Sequence, residues 1–162
     1  MKFRVFLALA LTALLLLTGC GDAPEIEYSD LVTPALRVPI EVCMPPETLS
    51  EIVGTPMSLI GVFFDGTQAA YTAEDNSQSV MLNMENSTRA LFDEMMEDLT
   101  PIGAETDLGE VAWWGSETEL LLYGYGCTVD ISITAPDTEV ARRNILTIAH
   151  TVLAKLQSVP VA

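Results

Sequence analysis

The first apolar stretch, Phe6 to Leu17, is broken only by Thr12, and the apolar positions after it fall into shorter, patterned segments. Pro39 to Pro46 reads as extended and turn-rich. Pro45 to Val53 predicts a short helix, with prolines in its first turn, acids at its positive end and Gly54 at its stop. Met57 to Phe64 and Gln68 to Ala73 are rich in strand formers and flank Asp65-Gly66, the strongest short hairpin signal. Ser79 to Met84 predicts a third strand. Asn86 or Ser87 can cap a helix through Asp98, because Leu91, Phe92, Met95, Met96 and Leu99 form one helical stripe. Glu110 to Trp114, Glu119 to Tyr125 and Thr128 to Thr134 predict three more strands. In the last of them Val129, Ile131 and Ile133 alternate with Asp130, Ser132 and Thr134, which implies one buried and one wet face. A final helix runs from Asp137 or Thr138 to about Gln157, with Ile145, Ile148, Ala149, Val152 and Leu156 on its buried side.

The order is helix, three strands, helix, three strands, helix. Strands joined by short turns pair antiparallel, and helices of this length cover a sheet face. The expectation is an α+β domain: a curved antiparallel sheet of five to seven strands, with two longer helices packed on one face. The two halves share a layout without a residue-level repeat.

The N-terminus changes the picture from fold to address. Lys2 and Arg4 precede the apolar run, and Leu17-Thr18-Gly19-Cys20 follows it. A basic start, an h-region of about a dozen residues and small residues at a cut describe a secretory signal peptide, and the run is short of the roughly 20 residues of a comfortable membrane span. Leu-Thr-Gly-Cys resembles the lipobox of bacterial lipoproteins. That resemblance implies cleavage before Cys20 and a diacylglycerol thioether on its sulfur, with two or more acyl chains giving stable anchoring. Residues 1–19 are then a cleaved signal, 20–35 a lipidated acidic tether and 36–162 one globular domain. The expected location is the extracytoplasmic face of a membrane, in the cell envelope.

The whole chain has 23 acidic and 7 basic residues, a net charge of −16, with 49% hydrophobic and 7% aromatic residues. Composition excludes whole-chain disorder, and the charge excludes nucleic acid as a partner. Loss of Lys2 and Arg4 with the signal leaves 5 bases against 23 acids, a net of −18. If Cys20 carries the lipid, Cys43 and Cys127 remain, and an exported domain with two such thiols predicts a disulfide between them. Two separate buried thiols are the alternative. A structural zinc site is not expected, since there is no Cys-x-x-Cys and one histidine.

Cys43 before the first helix, Ile52-Val53-Gly54 at its close, Leu108-Gly109-Glu110-Val111-Ala112-Trp113 and the terminal Val152-Leu153-Ala154-Lys155-Leu156 resemble small secreted lipoproteins of actinobacteria and other Gram-positives. These are similar to PsbP-like lipoproteins and to extracellular sensor domains of mycobacterial kinases. Many of them carry the second cysteine in an early strand, whereas in this chain it is Cys127, near the other end. The resemblance implies no catalytic residues.

Chemistry-bearing residues are few. His150, near Arg143, is expected to be an exposed structural residue, and sequence supplies no partner for it as a general base. No Gly-x-Ser-x-Gly elbow occurs. Asp93, Glu94, Glu97 and Asp98 lie on one helix face but lack the spacing of a calcium loop. Trp113, Trp114, Tyr123 and Tyr125 are the candidate binding surface for an apolar ligand, a glycan or a partner, with core packing the alternative. Adjacent tryptophans on a strand point to opposite faces. No catalytic residue, metal or cofactor is assigned. The expected function is a non-enzymatic, lipid-anchored envelope protein that binds a partner or small ligand. The rivals are a carrier holding a hydrophobic ligand between sheet and helices, and a small extracellular hydrolase; a calcium-dependent module ranks behind both.

Overall fold

Tyr71 explains how the first helices reach the sheet. Its ring is fully buried, and its hydroxyl donates to the Met44 carbonyl at 2.7 Å. That bond fixes the junction between a one-turn helix, α1 (Ile40–Cys43), and α2 (Pro46–Val53). The computed structural model describes residues 35–159, all within one compact unit. The signal, Cys20 and all but the last residue of the tether lie outside them.

Gly54 ends α2 in the left-handed region at φ 77°. The chain then enters β1 (Met57–Phe63), a 3-10 turn (Phe64–Gly66), β2 (Gln68–Ala73) and β3 (Ser79–Asn86). Thr88 caps α3 (Arg89–Glu97), its hydroxyl accepting from the Leu91 N–H at 3.3 Å. The second half comprises β4 (Gly103–Glu105), β5 (Val111–Ser116), β6 (Glu119–Gly124), β7 (Cys127–Thr134) and α4 (Thr138–Gln157), capped by Asp137.

All seven strands form one antiparallel sheet in the order β1-β2-β3-β7-β6-β5-β4. The α+β class and the antiparallel sheet are as expected. The shared layout of the halves appears as strand order: β1-β2-β3 and β5-β6-β7 flank the central β3/β7 pair symmetrically.

The helices break that symmetry, and this corrects the expectation that both longer helices share one face. Leu120 and Leu122 of β6 belong to the main core with Ile145, Ile148, Val152 and Leu156 of α4. Leu121 and Tyr123, which point the other way, pack with Phe92 of α3. The reason is in the two stripes. The stripe of α4 buries seven residues, whereas α3 buries Phe92 alone and leaves Leu91 and Met95 exposed. So short an apolar contact covers only the β5–β6 part of its face. Over β7, the alternation read from sequence holds: Val129, Ile131 and Ile133 are buried, while Asp130 and Ser132 are half-buried on the α3 side.

Two further differences are local. Pro39 to Pro46 contains α1 rather than purely extended chain. Strand β4, a three-residue strand that begins two positions after Pro101, was not expected; it pairs Gly103 with Trp114 and Glu105 with Ala112.

Candidate functional site

One concavity among the described residues is made by glycines. Strands β6 and β7 are joined by the two-residue turn Tyr125-Gly126, with φ 53° and 74°. Positive φ at both central residues is the I′ geometry that matches strand twist. A bulky residue in that region is unusual, and Arg37 braces it: the guanidinium donates to the Tyr125 carbonyl and, at 3.1 Å, to that of Val159. Opposite the turn, the loop before β5 carries Asp107 at φ 62° and Gly109 at φ 64°. Leu108 between them is pinned in the main core. A Cβ on Gly124 would lie 2.8 Å from Leu153 Cδ2 and 3.4 Å from Gly109 Cα, so strand, loop and α4 meet there at backbone distance.

Around this meeting point lies a cavity of about 450 Å³. Asp107, Glu110 and Tyr125 form one wall, and His150, Leu153 and Gln157 of α4 form the other. Its size suits a small molecule. His150 is exposed, as expected, but it faces this cavity rather than bulk surface alone. Among the described residues it has no hydrogen-bond or ion-pair partner, and none of their His, Cys, Asp and Glu side chains converge in threes to hold a metal. The arrangement offers hydrogen-bonding groups, two carboxylates and an apolar floor. It lacks the nucleophile–base contact of a hydrolase.

The four aromatics do not form one surface. Trp114 is fully buried in the main core, its Nε1 donating to Glu105 at 2.8 Å and its ring lying 3.9 Å beneath the Arg142 guanidinium carbon. Trp113 and Tyr123 lie on the opposite face in the α3 cluster, where the Tyr123 ring sits 6.0 Å from Phe92. Only Tyr125 is exposed, and it alone of the four lines the cavity. The candidate surface of Trp113, Trp114, Tyr123 and Tyr125 is therefore corrected. Strand alternation and the turn send the rings to three places.

Cys43 and Cys127 are free thiols, both fully buried in the main core. The expected bridge is not formed in this structure. Burial pushes both thiols up to about 11, and the charge of Cys127 adds to the rise at Cys43. Thiols so held are protonated small hydrophobes. On α3, Asp93, Glu94, Glu97 and Asp98 are all exposed, with Asp93 paired to Arg89 at 2.8 Å.

A smaller cavity of about 240 Å³ opens on the α3 face. Phe64, Met95 and Leu121 wall it, and Gln68, Asn83 and Asp130 line it from three adjacent strands. The register aligns those three side by side. Burial raises the Asp130 carboxyl above its usual range, partly offset by the Asn83 hydrogen bond. Sequence reasoning placed Asp130 on a wet face and saw no site there. The signal was absent from the chain order, because Gln68 and Asp130 become neighbours only through long-range pairing.

Comparison with known proteins gives no match of any kind: no family model, no curated protein and no solved structure is similar to this chain.

Proposed function

We propose that this protein is a lipid-anchored binding module of the cell envelope. Cys20 carries the lipid, the acidic segment 20–35 is the tether, and the α+β domain presents the cavity beside Gly109 and Gly124 to a small ligand outside the cell. The observation that carries the binding reading is that cavity, walled by Tyr125, Glu110 and His150 and floored by Leu153. Its polar groups are set for hydrogen bonding, and among the described residues His150 lacks the oriented partner that a general base needs. This favours binding over hydrolysis.

The carrier reading has less support. Between sheet and α4, the space is filled by Leu82, Leu120, Leu122, Ile131, Ile145 and Val152, all fully buried. A cargo there would have to displace close-packed side chains.

The test is a thermal-shift screen of small metabolites on the lipidated full chain. The expected result is at least one stabilising compound whose shift disappears in Ala154→Trp, which fills the cavity. Hits that survive Ala154→Trp, or none at all, would overturn the assignment of this cavity.

A further inference from the structure

The three side chains lining the α3-face cavity form a directed chain. Gln68 Nε2 donates to Asn83 Oδ1 at 2.7 Å, and Asn83 Nδ2 donates to Asp130 Oδ2 at 3.0 Å. The carboxylate at its end fixes the Asn83 amide orientation, since only the NH₂ can face it. Both donors therefore point toward Asp130, which has acceptor capacity to spare. Its second oxygen, Oδ1, is buried and has no hydrogen-bond partner. A buried acceptor without a donor is costly, and a buried charge without a partner more so.

The bases among the described residues do not supply that donor. Arg89 pairs with Asp93 on α3, and Arg142 pairs with Glu117. Arg37 is committed to the backbone carbonyls of Tyr125 and Val159. Arg143 and Lys155 belong to α4, which packs on the other face. Glu119 is a second carboxylate that acts on Asp130 to disfavour its ionisation, and Glu85 lines the cavity itself. The cavity lining thus combines two acids, Asp130 and Glu85, and among the described residues no base.

The walls carry the opposite chemistry. Phe64 is 74% exposed and Met95 38%, although both are apolar and both border a buried polar group. Large apolar side chains left to water above a half-buried carboxyl with one unpaired oxygen are informative together where neither is alone. An ammonium in the groove would answer the carboxylate charge of Asp130 and Glu85 without touching the enclosed Oδ1, and an apolar stem would cover Phe64, Met95 and Leu121. A bare metal ion fits poorly, because no three ligating side chains converge among the described residues and the walls offer it nothing.

We propose that this groove binds a small organic cation, a primary ammonium on an apolar stem, with Asp130 as the counter-ion and Phe64 and Met95 as the walls. This site lies on the opposite face of the sheet from α4 and is independent of the cavity beside Gly109.

The experiment titrates the full chain with hexylammonium, hexan-1-ol and hexanoate, following the methyl resonances of Met95, Leu121 and Leu153. Hexylammonium is expected to shift Met95 and Leu121 saturably, at least tenfold more tightly than either control. Asp130→Asn keeps the Asn83 bond and is expected to weaken hexylammonium at least tenfold while the melt stays cooperative. Equal binding of hexan-1-ol, undiminished binding to Asp130→Asn, or shifts at Leu153 in place of Met95 would each overturn the proposal.

Discussion

The carbonyl oxygen of Tyr123 lies 2.7 Å from where a Cβ on Gly109 would stand. The same oxygen accepts the Glu110 N–H at 2.9 Å. One atom therefore both excludes a side chain from the loop and holds the loop to β6. Gly109 also sits at φ 64°, where an L residue is strained. Gly109→Ala should destabilise the fold by more than about 1 kcal/mol, since the native conformation is incompatible with the new residue. The check is a urea midpoint that falls while the slope stays constant.

Asp130 gives a prediction with a pH sign. Its folded carboxyl is raised by burial. A group raised on folding contributes stability below its unfolded value, near 3.9, and loses it as pH climbs through the folded value. Asp130→Asn should therefore match wild type near pH 3 and be the more stable of the two at pH 7, because the amide carries no charge to bury. Chemical denaturation at both pH values reads the difference. An equal offset at both would contradict it.

The thiols carry the same sign at alkaline pH. Cys43 and Cys127 are raised to about 11 and Tyr71 to about 12, each chiefly by burial. Their contribution is complete below the unfolded values and disappears as pH rises from about 9 through 11 to 12. Reduced protein should hold a constant stability to about pH 8.5 and then fall. Because thiolate is scarce at neutral pH, oxidation by an external disulfide should be slow in the folded state and should proceed during refolding. A bridge made that way closes 84 residues of chain, from Cys43 to Cys127. It should add about 4–5 kcal/mol by loop entropy and abolish the cysteine part of the alkaline fall. Mass spectrometry, reading loss of two hydrogens, checks when the bridge forms.

The tryptophans should separate spectroscopically. Trp114 is shielded beneath Arg142, whereas Trp113 is half-buried on the far face. Acrylamide should quench one component readily, and Trp113→Phe should remove it. Trp114→Phe keeps most of the volume but strands Glu105, at a cost of about 1–2 kcal/mol. Trp114→Ala should cost about 3–5 kcal/mol.

Much of this was legible in the chain. Period-2 alternation from Val129 to Thr134 and the 3.6-residue stripes of α3 and α4 were local signals, and each element formed where its pattern stood. The side of the sheet on which α3 lies was not legible. A stripe says that a helix buries a face, but the partner is decided by which residues of β6 remain open, here Leu121 and Tyr123. The cavity was half-visible: Tyr125, Gly109, Glu110 and His150 all stood out singly. Their meeting depends on backbone contact between Gly124 and Gly109, across 15 positions of sequence. The Gln68–Asn83–Asp130 chain was invisible for the same reason, since only strand register assembles it.

The anchor proposed at Cys20 decides whether the cavity and the groove face the world outside the cell. Metabolic labelling with an alkyne fatty acid, followed by membrane fractionation of wild type and Cys20→Ser, tests it directly. The expected result is label and membrane retention in wild type, both lost in Cys20→Ser. An unlabelled wild-type protein, or a Cys20→Ser form equally retained at the membrane, would contradict it.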